Sequence, residues 1–380
     1  MTVSPSPTME LVADEADRET YYLNMGPQHP STHGVLRLRL HLEGERILAC
    51  EPVIGYGHRA HEKMAENRDY LQFLPNTSRI DYLSGMIYNL GYCQAVERAM
   101  QIEVPERAEY IRVIAGELNR ISSHLLWMGT YLLDLGGFTP FLYAFTDREK
   151  ILDLLDYVTG SRLTYCYGRF GGVTMDVDDV FLRDVSDFCD YFEDRLEEYH
   201  KLVTRNVIFR HRTRGVGVMG EELGLDYGVT GPCLRAAGIA RDVRKDEPYG
   251  IYDRLEFDVP TGAGGDCFDR HMVRMSEMEQ CLRLIEQALR GIPEGPVQAP
   301  KVPKRIRPPA GDHYFACESA RGHFGIYIRS DGTDIPVRMK MRTPSFANVS
   351  TMPAVLPGTM LADTVAILGS VDVVIPEIDR

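Results

Sequence analysis

Two histidines, His29 and His33, lie in a segment that proline makes rigid, Gly26–Arg37. Pro27 and Pro30 fix φ, remove backbone donors and disfavour the α region for the residues before them, so the segment is neither helix nor continuous strand. Histidine is the side chain that most readily gains or loses a proton near neutral pH, which makes both residues candidates for chemistry. The alternative is a stiff hairpin loop with two surface histidines.

Two further polar residues lie in segments whose apolar residues have the spacing of a helix. Asp134 falls at the C-terminal end of a long predicted helix, where the helix dipole disfavours a carboxylate, so a cation or a proton is expected beside it. Tyr82 falls beside the apolar stripe of a helix predicted from about Arg79 to Gln101. The alternatives are an exposed residue near a helix end for Asp134, and a core tyrosine bonded to backbone for Tyr82.

A third polar group begins a predicted helix in the stretch GYGHRAHEK, where Arg59 stands among histidines, a glutamate and a lysine. Such a group is usually a solvated helix face. By itself it predicts no chemistry.

The elements that must position these residues follow two periodicities. Leucines at alternate positions from Leu36 to Leu42 predict a strand over Gly34–Leu42, which returns through Ile54 as a hairpin. Apolar residues at three- and four-residue spacing from Ile111 to Leu135 predict a central helix that begins after Pro105. Other helices are predicted from about His58 to a stop at Pro75 and over 79–101, 139–159, 181–203 and 268–290, and a strand hairpin over 323–343. The pattern predicts an α+β fold: a central helical bundle with strand regions at both ends.

The domain interpretation is a flexible tail, 1–20, followed by a single domain, 21–380. That domain comprises a β-hairpin region over 21–55, a mainly helical core over 56–292, a proline-rich connector over 293–310, and C-terminal strands with a closing segment over 311–380.

Composition excludes several classes of function. The net charge of −13 disfavours nucleic-acid binding, which needs a basic face. Eight scattered cysteines without a CxxC pair argue against a disulfide framework, a zinc ribbon or an iron–sulfur cluster within the chain. We find neither a signal peptide nor an uninterrupted apolar run of about 18 residues, so the chain is expected to remain in the cytoplasm.

Seven motifs, in order, resemble one family over nearly the whole chain, namely the D subunit of NADH-quinone oxidoreductase (respiratory complex I). They are GPQHPSTHGVLRLRL, EPVIGYGHRAHEKMAENR, SRIDYLS, LLDLGGFTPFLYAFTDREK, RFGGV, GGDCFDRHMVRMSEM and LADTVAILGSVDVVIPEIDR. The family is similar to the large subunit of [NiFe] hydrogenases, which implies a hydrogenase large-subunit-like fold. The two CxxC pairs that hold nickel and iron in those hydrogenases are absent here, so no metal site is expected.

The resemblance implies that the emptied metal site is the head of a quinone cavity, shared with the partner subunit that holds the terminal [4Fe-4S] cluster. His33 and Tyr82 then match the family's headgroup residues, and Asp134 matches the aspartate that partners the histidine. His29 and Arg79 are expected to line or brace the pocket.

The same resemblance places Arg59 toward the partner's cluster. The sequence departs from the family at Thr164, where many relatives have histidine, and at Ala60, where a glycine is common.

The implied activity is quinone reduction to quinol coupled to proton pumping, within an NADH:quinone oxidoreductase. The expected partners are quinone and the other complex I subunits: the terminal [4Fe-4S] subunit, the C-type subunit, the ferredoxin-like subunit and the membrane quinone-channel subunit. The chain is expected on the cytoplasmic side of the cell membrane as a peripheral protein. A non-catalytic scaffold and an energy-converting hydrogenase subunit remain alternatives, and the electron donor, whether NADH, ferredoxin or a deazaflavin carrier, is open.

Overall fold

A computed structural model describes residues 9–13 and 19–380 and confirms the α+β fold class. The strands are β1 (Met9–Ala13), β2 (Glu19–Met25), β3 (Arg37–Glu43), β4 (Arg46–Val53), β5 (Gly168–Arg169), β6 (Gly172–Val173), β7 (Gly311–Ser319), β8 (Gly322–Ser330) and β9 (Arg338–Arg342). The helices are α1 (His61–Ala65), α2 (Tyr70–Thr77), α3 (Gly85–Met100), α4 (Glu106–Asp134), α5 (Phe138–Thr159), α6 (Asp179–Tyr199), α7 (Val207–Thr213), α8 (Glu221–Asp226), α9 (Pro232–Ala236), α10 (Val243–Asp246), α11 (Cys267–Gly291), α12 (Pro344–Val349), α13 (Met352–Val355), α14 (Asp363–Val371) and α15 (Ile375–Asp379).

The N-terminal sheet is antiparallel in the order β1-β2-β3-β4. Its β3 has the predicted alternation, because Leu38, Leu40 and Leu42 are fully buried while the residues between them are half-exposed. Residues 1–20 were expected to form a flexible tail, but Met9–Ala13 form β1, which pairs with the edge of β2. Residues 1–8 and 14–18 of that expected tail lie outside the described residues.

The central helix α4 confirms the apolar periodicity. It contacts α3, α5, α11 and α14, so its apolar side chains are buried on several sides. The helix ends as predicted before Gly136, whose φ of +87° ends the helical path. The Gly137 amide then donates to the Leu132 carbonyl at 2.7 Å. Asp134 is therefore the last residue of a helix that packs against four others.

Two predicted helices differ from the structure. The helix expected to stop at Pro75 is two helices, because Asp69 and Gln72 form a capping box that begins α2 separately from α1. Pro75 lies inside α2, which continues past it to Thr77, so the predicted stop at Pro75 was two residues early. The helix predicted from about Arg79 begins only at Gly85, as α3.

The C-terminal sheet is antiparallel in the order β7-β8-β9, and β7 packs against α3. The tip of the β7–β8 hairpin is unusual, because Ala320 and Arg321 are buried there although hairpin tips normally face solvent. After β9 the chain closes in the short helices α12–α15. Within the described residues, no helix is long and apolar enough to cross a membrane.

Candidate functional site

The histidine segment forms a tight turn whose backbone is held by its own side chains. Pro30–Thr32 form a 3₁₀ turn, and His29 Nδ1 accepts a hydrogen bond from the Ser31 amide at 3.2 Å. The buried Thr32 hydroxyl lies 2.8 Å from the His29 carbonyl oxygen and 2.9 Å from that of Gly34. His33 has φ +52°, a left-handed conformation that is costly for a residue with a Cβ and persists only where its surroundings enforce it.

His33 and Asp134 form a hydrogen-bonded pair across 101 positions of sequence, with Nε2 and Oδ2 2.5 Å apart. Their side chains are 19% and 11% exposed, so the pair is largely shielded from water. The cation or proton that the helix end required at Asp134 is thus supplied by an imidazole. This contact rejects the exposed-residue alternative for Asp134.

Tyr82 lies in a turn, and the prediction that it belongs to a helix was wrong. The Asp81 carboxylate accepts hydrogen bonds from the amides of Leu83 and Ser84, at 3.0 and 3.1 Å, which fixes a non-helical turn before α3. Burial raises the pKa of Tyr82, and the opposing effect of Arg321 is smaller. The phenol therefore keeps its proton at neutral pH and is available as a donor.

These residues line one cavity of about 480 Å³, a volume within the usual range of small-molecule sites. The predicted residues His29, His33, Tyr82 and Asp134 are among its polar groups. Apolar walls come from the histidine segment, the turn that carries Tyr82, the C-terminal half of α4 and the segment before α15, including Val35, Leu83, Leu126, Leu133, Val373 and Val374. The cavity can hold a flat, largely apolar ligand that carries hydrogen-bonding oxygens.

Sequence reasoning missed three polar residues of this cavity, Gln28, Thr130 and Asp372, of which Asp372 is the charged one. It is 4% exposed, has φ +57°, and accepts a hydrogen bond from Arg321 at 3.2 Å through Oδ1. Its Oδ2 has no hydrogen-bond partner within residues 9–13 and 19–380. The sequence carried a signal for Asp372, which stands alone between apolar residues in GSVDVVI. Such a position predicts burial, and a buried carboxylate is costly unless it has a partner or a function.

Two other predicted site residues lie outside the cavity lining: Arg79, which was expected to line or brace the pocket, and Arg59, which was expected toward the partner's cluster. Arg79 is half-buried and donates to the Pro75 carbonyl oxygen, one helical turn earlier. Arg59 is exposed on the loop between β4 and α1. Asp379 anchors that loop, because its carboxylate accepts the amides of Gly55 and Gly57 at 2.7 and 2.6 Å. Thr164 also lies outside the cavity lining.

Ala60 shows what the departure from glycine does to this loop. Its φ of +55° and ψ of +40° are left-handed, a region that glycine adopts without the steric cost borne by alanine. Ala60→Gly should therefore raise the free energy of unfolding by about 0.5–1 kcal/mol, measured by thermal unfolding. Ala347→Gly, within α12, is the control and should lower it by about 1 kcal/mol. A loss of stability in Ala60→Gly would contradict this account of the loop.

The cysteines do not assemble into a metal site within the described part of the chain. All eight are free thiols, buried except for half-buried Cys166. Nor does any group of three or more histidine, cysteine, aspartate or glutamate side chains have the arrangement to hold a metal ion there.

Comparison with known proteins defines the class and then the family. The family model of the respiratory-chain NADH dehydrogenase 49 kDa subunit matches residues 134–306 and 300–380, so the chain is a subunit of an oxidoreductase complex. The NADH-quinone oxidoreductase D subunit of Syntrophobacter fumaroxidans is 60% identical over 95% of this chain and 97% of that protein. The D subunit of Desulfotalea psychrophila is 55% identical over 95% of this chain and 97% of that protein. The D 2 subunit of Opitutus terrae is 53% identical over 99% of this chain and 96% of that protein.

The chain belongs to the family of NADH-quinone oxidoreductase D subunits, and the resemblance carried by the seven motifs is confirmed. As a complex I subunit, it has other complex I subunits as partners.

Proposed function

We propose that the cavity holds the headgroup of a quinone, which is reduced there to quinol. The observation that carries the proposal is that one cavity contains the Tyr82 hydroxyl and the His33–Asp134 pair. Quinone reduction takes two electrons and two protons, so donors must stand at both carbonyl oxygens as they become basic. Tyr82 and protonated His33 are the two donors, and His29 supports the His33 turn.

Asp134 has two roles in this proposal. Its carboxylate lies 2.5 Å from His33 Nε2 and orients the imidazole ring, which holds a proton donor at the cavity wall. Once His33 gives up that proton, Asp134 at the end of α4 loses its charged partner. That change of charge is the event through which quinone reduction would be coupled to proton pumping by the membrane subunits.

The electrons come from outside this chain. In the proposal they originate at NADH, the donor in the relatives' names, and arrive through the [4Fe-4S] cluster of the terminal cluster subunit. The exposed guanidinium of Arg59 faces that subunit, where a positive charge would favour the reduced cluster. Arg59 has no ion-pair partner among the described residues, so its charge is available. The chain then lies on the cytoplasmic side of the membrane, against the membrane quinone-channel subunit, the C-type subunit and the ferredoxin-like subunit.

His33→Ala tests the proposal against a scaffold role. We expect the complex to assemble but quinone turnover to fall by about 100-fold, because one proton donor is gone. The control is His41→Ala on β3, where the ring stacks on Tyr22 outside the cavity. Steady-state quinone reduction and subunit composition are the measurements. Normal turnover in an assembled His33→Ala complex would favour the scaffold.

A further inference from the structure

Arg321 lies at the buried tip of the β7–β8 hairpin and is 1% exposed. The backbone is closely packed there, since a Cβ on Gly231 would lie 2.3 Å from the Arg321 carbonyl oxygen. An arginine enclosed in this way must have its charge and donors satisfied by neighbours. One of those neighbours lines the cavity, and the others lie on the turn and the helix that carry cavity residues.

The guanidinium joins three separate elements. Nη1 donates to Asp81 Oδ2 at 2.8 Å, to Ser84 Oγ at 3.2 Å and to Ser123 Oγ at 3.2 Å. Nη2 donates to Asp372 Oδ1 at 3.2 Å. One side chain thus connects the turn that carries Tyr82, the helix α4 that ends at Asp134, and the cavity wall that begins at Asp372.

Arg321 also acts on Tyr82 electrostatically. Among the charged neighbours of Tyr82, its guanidinium has the largest effect in favour of the deprotonated phenol, and Arg148 contributes in the same direction. The Asp81 and Asp372 carboxylates have the opposite effect. Removal of the guanidinium would leave Tyr82 beside two carboxylates without the main balancing cation.

We propose that Arg321 is a positioning residue for quinone reduction: it holds Tyr82 against the quinone and stabilises the tyrosinate left after proton transfer. The inference rests on the proposed function of Tyr82. In the step concerned, the Tyr82 O–H bond breaks and a quinone O–H bond forms, and the two electrons that the quinone takes up arrive singly through the partner's cluster. The O–H electron pair stays on the Tyr82 oxygen, beside the guanidinium, until solvent returns a proton.

A double-mutant cycle in the assembled complex tests the proposal, with kcat and KM for a short-chain quinone as the measurements. Arg321→Lys keeps the charge, but a single ammonium cannot span Asp81 and Asp372 as the guanidinium does. We expect kcat to fall about 10-fold with KM changed by less than about threefold, since the loss is in the transition state. In a Tyr82→Phe background the same substitution should cause little further loss, because its effect acts through the missing hydroxyl.

Two further variants make the result decisive. Arg270→Lys is the control: Arg270 is equally buried but bonds the Gly265 and Gly217 carbonyls and Ser370, so kcat should hold. Asp81→Asn weakens the ion pair while its Oδ1 can still accept the Leu83 and Ser84 amides, and it decides the matter if Arg321→Lys does not assemble. We expect Asp81→Asn to lower kcat less than Arg321→Lys does. In the Tyr82→Phe background this loss should also disappear.

The possible outcomes separate the two proposals. An equal loss of kcat with and without the Tyr82 hydroxyl would overturn the role of Arg321 and leave the quinone site standing. A raised KM at constant kcat in Arg321→Lys would also overturn the role of Arg321 and leave the quinone site standing. Unchanged turnover in Tyr82→Phe itself would instead overturn the proposed function.

Discussion

Tyr82→Phe should lower quinone reduction by the assembled complex about 100-fold or more, while the partner's cluster is still reduced by the upstream donor. The substitution removes one oxygen and leaves the ring, so the cavity keeps its shape and loses one proton donor. Burial holds the phenol in its protonated form, as a donor requires. The measurements are steady-state quinone turnover and the spectroscopic signal of the reduced cluster.

Tyr167→Phe is the matched control, because its hydroxyl is bonded to the Met175 carbonyl at 2.8 Å, away from the cavity. That variant should lose about 1 kcal/mol of stability and keep its turnover. Full turnover in Tyr82→Phe would exclude this hydroxyl as a proton donor. Loss of cluster reduction as well would point to a defect in assembly.

Asp134→Asn should lower quinone turnover by about 10- to 100-fold, since it removes the carboxylate that holds the His33 ring in place as a proton donor. The two side chains are 2.5 Å apart, so asparagine retains the shape but replaces a charge-assisted hydrogen bond with a weaker one. Steady-state quinone turnover of the assembled complex is the measurement.

Asp153→Asn on α5 is the control for the Asp134 variant. Asp153 is 71% exposed and pairs with Arg162 on the surface, where an ion pair contributes little. Its turnover should match that of the unmodified complex. Unchanged turnover in an assembled Asp134→Asn complex would show that the His33–Asp134 pair takes no part in the proton transfer.

Periodicity was sufficient to predict the elements whose burial is regular. The apolar stripe of α4 and the leucine alternation of β3 both follow the period of their element, so the end of α4 near Asp134 could be predicted. Tyr82 was placed on a helix because its neighbours fit a helical stripe. The Asp81 side chain instead bonds the backbone of the next residues and delays the helix to Gly85, a local competition that periodicity does not record.

Contacts between distant segments could not be predicted from the chain alone. The sequence around Arg321, SARG, is typical of an exposed hairpin turn, and nothing local indicates that the turn is buried beside Asp81 and Asp372. Arg79 was expected at the pocket because of its motif, yet its side chain folds back on α2. The family resemblance supplied the pairing of His33 with Asp134, since a helix end shows only that a carboxylate needs some cation.

The buried hairpin tip also constrains the order in which this protein can fold. The cavity combines His33, Tyr82 and Asp134 with Asp372, and Arg321 joins two of its walls to α4. Contacts of such high sequence separation form slowly, because long loops must close before any stabilisation is gained. During synthesis the helical bundle can assemble first, but the cavity has to wait until β7, β8 and α14 have left the ribosome. Until then its apolar walls stay open, and this period is when the nascent chain is most prone to aggregate.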